Sequence, residues 1–474
     1  MNAVQLLLNQ GNYKFKVHER MKIHKILNSP IIFPIIFFII LILLGSIILH
    51  SSEKRIIDSI SWTDSIFTAT SAACVTGLVV VDTGSYFTVF GKIIILCLMQ
   101  IGGLGIMTFT SLTIYLLRRK TTITDRIAVG QVLLHDPRFN LGKFLIEIFR
   151  WIFVIEAVGA TLLYLIAPKA FSPFSALFHS VSAFCNAGFS LFPDSLMNCK
   201  GDWGINIVFI VLIFLGGIGF SVFVELKNFV VQRFKSFPTH DSRSISWYAK
   251  IVFRTSFFLI ILGWLGIYFA EFVGYNQTIG LDDSILTALF QSVTSRTAGF
   301  NTLNIGQMTN VSLIVLLFLM FIGGAPGSCA GGIKVTTFRV LVAAIWSQLK
   351  GKKQAVIGKF AVNEAAVKKA MVLFALAIIL IFLAVFLLDF TEGGNRPHYQ
   401  VRGQFLEILF ESVSAFCTVG LSTGLTPTLS TAGKWIIIFL MFIGRLGPFV
   451  LINALHSIQE VQYYKLPEEN IMIG

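Results

Sequence analysis

Apolar stretches recur along the chain in a fixed order of long, short and long, with polar segments between the units. In the first unit the three parts run over roughly 31–49, 62–75 and 87–117. The long parts, such as 31–49 and 374–388 with its flanks, approach or exceed the roughly 20 apolar residues that a helix needs to cross a bilayer. The short part holds about 14 residues and falls short of a comfortable span. Each short part begins with Phe and ends with Gly: Phe67-Thr-Ala-Thr-Ser-Ala-Ala-Cys-Val-Thr-Gly77, Phe178-His-Ser-Val-Ser-Ala-Phe-Cys-Asn-Ala-Gly188, Phe290-Gln-Ser-Val-Thr-Ser-Arg-Thr-Ala-Gly299 and Phe410-Glu-Ser-Val-Ser-Ala-Phe-Cys-Thr-Val-Gly420, the third being one residue shorter. The glycines repeat every 111 to 121 residues.

A second signature follows each glycine by about 25 residues: Ile101-Gly-Gly-Leu-Gly105, Leu215-Gly-Gly-Ile-Gly219, Ile322-Gly-Gly-Ala-Pro326 and Ile443-Gly-Arg-Leu-Gly447. Such self-similarity defines four repeats, over 31–117, 145–232, 250–349 and 369–459, with an N-terminal segment 1–30 and a C-terminal tail 460–474.

Charge decides whether the short parts cross the membrane. Segments 1–30, 118–144, 233–250 and 350–369 carry five, six, four and six Lys and Arg, against six in the loops on the other side (Lys54, Arg55, Lys169, Lys200, Arg396, Arg402). If the short parts crossed, the basic linkers would alternate sides. The positive-inside rule instead places all four basic segments in the cytoplasm. The expected fold is therefore an all-α integral membrane protein of four repeats. It has eight transmembrane helices and four re-entrant pore loops entering from outside, with pseudo-fourfold symmetry around one pore and both termini cytoplasmic.

Composition agrees: 55% of the residues are hydrophobic and 13% charged, whereas soluble domains hold about 25% charged residues. The long first apolar stretch, followed by no small-residue cleavage pattern, reads as a retained helix and not as a signal peptide. The net charge of +13 reads as cytoplasmic loops, and nucleic acid is not an expected partner. Six cysteines without a CxxC or Cys/His cluster exclude zinc and redox motifs. No HExxH, nucleophile motif or acidic metal cluster points to an enzyme, and no strand–GxGxxG–helix unit points to a nucleotide site in this chain. A carrier for organic solutes would be expected to show inverted repeats, whereas these run in one orientation.

Irregular backbone survives inside a bilayer only when buried in protein or lining a wet cavity. Four re-entrant loops around one axis provide that cavity. Each pore helix would aim its partly negative C-terminus at the axis, favouring a cation. The residues after it would offer backbone carbonyls in place of the ion's hydration shell, and glycine allows the close approach. The expected filter is Val75, Thr76 and Gly77; Asn186, Ala187 and Gly188; Thr297, Ala298 and Gly299; Thr418, Val419 and Gly420. None carries a carboxylate, which argues against an acidic calcium-type ring. Asp82, near the outer mouth, is either a cation lure or an ordinary loop aspartate.

In Val75-Thr-Gly-Leu78, Asn186-Ala-Gly-Phe189, Arg296-Thr-Ala-Gly-Phe300 and Thr418-Val-Gly-Leu421, over residues 31–459, the chain resembles the Trk/Ktr/HKT superfamily of potassium transporters. Without the extra N-terminal helix pair of Trk-type members, it is most similar to the Ktr-type membrane subunit. The resemblance implies K⁺ held by the four filter glycines. Since a serine in the first filter accompanies sodium selectivity in plant relatives, Gly77 favours potassium, with a sodium-selective or Na⁺/K⁺ transporter as the alternative. It also implies a homodimer in a bacterial plasma membrane, one pore per protomer, on a cytosolic ring of RCK-type nucleotide-binding subunits, with no organic cofactor in this chain. The linkers 233–254 and 350–369 are candidate docking surfaces or ordinary basic loops.

Repeat three interrupts its second long helix with Gly323, Gly324, Ala325, Pro326, Gly327, Ser328, Cys329, Ala330, Gly331 and Gly332, ending at Lys334. Five glycines and a proline do not sit cheaply in a helix, so this stretch is read as an unwound gate below the filter, with Lys334 reporting or stabilising one position of it. In the family this loop obstructs the pore and moves during gating. Arg445 stands where the other repeats have Gly103, Gly217 and Gly324; it is read as a charge that tempers cation flow, a buried ion pair being the other reading. Arg296 is expected to point off the axis and brace the filter against Glu411. Glu156 is expected to pair with Arg150 or to meet a second subunit. Cys74, Cys185 and Cys417 are expected to be small packing residues.

Overall fold

The computed structural model describes residues 32–52, 60–104, 141–233, 245–274, 280–393 and 396–447. Segment 1–30, most of linkers 118–144 and 233–250, the ends of repeats one and four, and the tail 460–474 lie outside them.

Each repeat opens with a long apolar helix: α1 (Ile32–Ser52), α4 (Leu141–Ile166), α8 (Trp247–Ile267, continued by a π turn over Tyr268–Val273) and α12 (Glu364–Glu392). These four are long and apolar enough to cross a membrane singly. The short parts form α2 (Trp62–Ala73), α5 (Pro173–Phe184), α9 (Leu281–Thr294) and α13 (Gln404–Phe416). At 12 to 14 residues and about 1.5 Å per residue they are far shorter than a bilayer core. Serine hydroxyls start two of them: Ser61 accepts from the Asp64 amide at 3.0 Å and Ser172 from that of Ser175 at 3.2 Å, serving amides that no helical carbonyl can reach.

In repeats two and three the third part differs from the expectation of one long helix. α3 (Val89–Gly103) runs into the second glycine signature, where the described residues of repeat one end. α6 (Trp203–Gly217) and α7 (Phe220–Arg233) meet at 110°. α10 (Asn310–Phe321) and α11 (Val335–Leu349) flank the glycine-rich loop. α14 (Thr431–Leu446) ends at Gly447. The break assigned from sequence to repeat three alone is thus present in repeat two as well. The cause is Gly219, whose φ of +87° belongs to the left-handed region and whose Cβ, if present, would lie 2.7 Å from the Pro326 carbonyl. A second departure from an all-α chain is the hairpin β1 (Val356–Ile357) and β2 (Phe360–Ala361), antiparallel with Ile357 opposite Phe360. It turns on Gly358 at φ +64° and accepts a hydrogen bond from the Trp247 indole through the Ile357 carbonyl (3.3 Å).

Packing is cyclic. Each short helix packs on the long helix of its own repeat, and each third-part helix packs on the short helix of the next: α3 on α5, α6 on α9, α10 on α13, and α14 back on α2. Lys434 on α14 and Asp64 on α2 pair at 2.6 Å across that closing seam. Among the described residues the surface is apolar, and an otherwise apolar interior also holds many polar side chains. Leu44, Leu165, Phe257 and Phe386 are exposed, while His179, Gln291, Glu411 and a series of Ser and Thr are buried. An apolar surface with polar groups held inside suits a lipid surround, where polar groups must find partners within the protein. The four phenylalanines that open the short motifs (Phe67, Phe178, Phe290, Phe410) are fully buried, which accounts for their recurrence.

Candidate functional site: a ring of four backbone strands

All four short helices end two or three residues before the strands of the predicted filter, capped at Cys74, Cys185, Ser295 and Cys417. The strands share one unusual conformation. Val75, Asn186, Thr297 and Thr418 have φ of +57°, +57°, +78° and +50°, and Gly77, Gly188, Gly299 and Gly420 have +91°, +71°, +83° and +92°. Thr76, Ala187, Ala298 and Val419 between them are not left-handed. Alternating hand along a short strand turns successive carbonyls to one side, where an ordinary strand would alternate them. A β-branched residue at positive φ is a true outlier, of the kind that surrounding structure holds in place at functional sites at about 1–3 kcal/mol each.

The strands close into a ring. A Cβ on Gly77 would lie 2.5 Å from the Ala187 carbonyl oxygen, and one on Gly188 2.9 Å from that of Ala298. On Gly299 it would overlap the Val419 oxygen, and on Gly420 the Thr76 oxygen. Each glycine therefore lets its strand press against the carbonyl that precedes the next glycine, round all four repeats. One face of the ring opens into a cavity of ≈ 290 Å³ lined by the four glycines with Asp82, Asp194, Asn301 and Ser422 among others. Asp82 also caps the one-turn helix Thr83–Tyr86, accepting from the Ser85 amide at 2.8 Å.

Behind the ring, one hydroxyl per repeat supports the strand, and sequence reading had not singled these out. Ser71 and Ser414 accept from the amides of Gly77 and Gly420, each at 3.1 Å. Ser182 and Thr294 instead donate to the carbonyls of Phe189 (2.8 Å) and Phe300 (2.7 Å). Their signal was present: each is the fifth residue of its motif.

On the opposite face lies the loop of repeat three. Its amides reach the carbonyls that the end of α6 leaves without helical partners: Ala325 donates to Gly217 (2.9 Å) and Cys329 to Gly216 (3.2 Å), while the amide of Phe220, at the start of α7, donates to Gly327 (3.0 Å). The bend in repeat two and the loop in repeat three are thus one hydrogen-bonded unit. A Cβ on Gly332 would sit 3.2 Å from that of Cys417 and one on Gly331 would overlap the Thr418 hydroxyl, so Gly331 and Gly332 lie directly against the strand of the fourth repeat. Gly323 and Gly324 form the near end of the loop, Pro326 its turn, and the Ser328 hydroxyl donates back to Ala325 (2.6 Å). Lys334 Nζ donates to the Ala330 carbonyl at 2.5 Å, holding the far end.

Arg445 is buried and donates to the carbonyls of Cys329 and Gly102. It joins the loop to the end of α3, and among the described residues it pairs with no carboxylate, so the ion-pair reading is not what the structure places there. Arg296 does turn off the axis, but not toward Glu411. Its guanidinium donates to the Ser256 carbonyl (3.2 Å), the Ser256 hydroxyl (3.3 Å) and the Gly323 carbonyl (3.2 Å). It belongs to α8 and the loop, because Glu411 is already surrounded by Ser422, Thr423 and Thr426. Glu156 likewise does not meet Arg150. Six residues at about 100° each put the two on different faces of α4. Glu156 is buried and accepts from the Gln100 amide at 3.1 Å and the Cys185 thiol at 3.9 Å. Cys74, Cys185 and Cys417 are buried free thiols.

The profile of the TrkH family, described as a cation transport protein, matches residues 5–459. The chain belongs to that family. It is 40% identical to the Ktr system potassium uptake protein B of Bacillus subtilis over 92% of this chain and 95% of that one. It is 36% identical to the protein of the same description from Vibrio alginolyticus, over 91% and 92%. It is 34% identical to the potassium/sodium uptake protein NtpJ of Enterococcus hirae, over 92% and 95%. The solved structure of the potassium transporter TrkH from Vibrio parahaemolyticus superimposes with a TM-score of 0.71 at 22% identity, covering 90% of this chain and 85% of that one, a likeness of fold.

Proposed function

We propose that this chain is the pore-forming membrane subunit of a potassium uptake system, with the four-strand ring as its selectivity filter. The observation that carries the reading is the closed contact of each repeat glycine with the carbonyl of the next repeat. Carbonyls converging on one axis, held by strained strands at the ends of four helices, offer oxygens to a cation that has shed water. Two relatives described as potassium uptake proteins support K⁺ as that cation. The relative described as a potassium/sodium uptake protein keeps Na⁺ as the second reading.

On this reading the chain crosses the membrane with eight spans and four re-entrant loops, the ≈ 290 Å³ cavity is the outer mouth, and the basic segments face the cytoplasm. The loop from Gly323 to Lys334, with Arg445 hydrogen-bonded to it, is the gate. A homodimer seated on a cytosolic RCK-type ring supplies its control.

The test is uptake of rubidium and sodium in cells lacking their own potassium systems, with and without Gly77→Ser. The substitution places a side chain at φ +91° against the Ala187 carbonyl. Rubidium preference should collapse toward sodium; a preference that survives intact removes Gly77 from the filter.

A further inference from the structure

The residue after the opening phenylalanine differs in every motif: Thr68, His179, Gln291 and Glu411. All four lie on pore helices and are buried. Three of them do one job. His179 Nε2 accepts from the Leu191 amide at 3.2 Å, its Nδ1 being committed to the Ser175 carbonyl at 2.8 Å. Gln291, with its amide oxygen turned to the backbone as its surroundings require, accepts from the amides of Thr302 (2.9 Å) and Leu303 (3.2 Å). Glu411 accepts from the Thr423 amide at 3.0 Å, and also from the hydroxyls of Ser422 (2.5 Å) and Thr426 (2.6 Å). In each repeat the amide held lies three or four residues past the filter glycine. The side chain therefore ties the strand leaving the ring back to the pore helix that enters it.

Repeat one has no such tie. The Thr68 hydroxyl is buried without a hydrogen-bond partner, and a threonine is shorter than His, Gln or Glu. The strand it would serve reads Val79-Val-Val81 and carries no hydroxyl to answer it. The Val80 amide is in the position to be held, and the side chain that would hold it is missing.

We propose that His179, Gln291 and Glu411 are positioning residues that fix the width of the ring from behind, and that repeat one is the strand without this second tie, its support being the Ser71 hydroxyl. This rests on the ring being the filter. An ion is discriminated by the spacing of the carbonyls around it, and a strand without the second tie lets that spacing relax toward a smaller cation. Three tied strands set the ring's size, and the fourth supplies the compliance an ion needs to enter and leave.

The experiment is rubidium and sodium influx into liposomes holding the purified full-length protein at matched density. Glu411→Leu should lower the rubidium-to-sodium ratio about tenfold, on the scale of losing one or two hydrogen bonds to a charged group. Glu411→Gln, which keeps an oxygen for the Thr423 amide, should fall between Glu411→Leu and the unmodified protein, a rescue that a merely space-filling role would not give. Thr68→Val should leave the ratio unchanged. If Glu411→Leu does not yield folded protein, Gln291→Leu carries the same expectation. A ratio unchanged in Gln291→Leu and in whichever Glu411 variants fold, while Gly77→Ser shifts it, overturns the ties and leaves the filter standing. A ratio that Thr68→Val lowers as far as Glu411→Leu also overturns them. A ratio that Gly77→Ser does not move overturns both.

Discussion

At the level of the ring the four repeats are nearly interchangeable; at the level of the second glycine signature the described residues of repeats two, three and four each do something different. Above, every strand has the same pair of left-handed residues and the same contact with its neighbour. Below, α6 bends into α7, α10 gives way to a loop, and α14 carries a buried arginine in its last turn. The difference follows from what each level does in the proposed function. A bare cation presents the same demand in every direction, so a carbonyl ring gains from symmetry. A closed gate needs one obstruction, and the polar backbone of that obstruction must find partners at membrane depth. Repeat two supplies them through Gly216 and Gly217, and Arg445 supplies two more contacts. Asymmetry in one repeat is therefore matched by asymmetry in the others.

The comparison breaks most visibly at the ring. Gly420→Ala puts a methyl group at φ +92° onto the Thr76 carbonyl. Strain of about 1–3 kcal/mol, on top of that overlap, should cut rubidium uptake at least tenfold at equal protein level. An alanine variant with normal uptake would mean the ring does not conduct.

A smaller change of opposite sign is expected from Arg445→Ala. It releases the loop from Gly102 and Cys329 and removes a charge beneath the ring, so flux should rise several-fold, two charge-assisted bonds at about 1.5–3 kcal/mol each being lost. The rubidium-to-sodium ratio should stay the same, since the strands are untouched. Equal flux in the variant would separate Arg445 from the gate.

Gly219→Ala sharpens the coupling between repeats two and three. With φ +87° and the Pro326 carbonyl in the way, it should lower the thermal midpoint by an amount corresponding to about 1–3 kcal/mol and shift flux about twofold, again without altering selectivity. A selectivity change here would show that the two levels are not independent.

The smallest effect belongs to Ser71→Ala. One hydrogen bond to the Gly77 amide is worth about 0.5–1.5 kcal/mol, so the rubidium-to-sodium ratio should fall a few-fold. Ser71→Thr, which keeps the hydroxyl, should fall less.

The sequence made the ring legible because the four glycines are spaced alike and only glycine meets the geometry at those positions. The recurring Phe was legible as a pattern, though its burial became visible only in three dimensions. The elbow at Gly219 was not distinguished because Leu215-Gly-Gly-Ile-Gly219 reads like the signature of repeat one, and what bends it is contact with a loop more than a hundred residues away. Arg296 and Glu156 were misassigned to charged partners for the same reason. A charge in an apolar run suggests an opposite charge, whereas carbonyls, a serine, a glutamine and a thiol met their needs. The seam residues Asp64 and Lys434 lie 370 positions apart, and no local pattern connects them.

That seam has a consequence for how the molecule is made. Gly420 meets Thr76 and Lys434 meets Asp64, so the last repeat translated completes a circle begun by the first. Three repeats already threaded into the membrane hold an open arc. Contacts of such long separation form late and slowly, and until they do the chain has no continuous ring. A ribosome-bound chain cut short before residue 404 should be inserted and yet inert.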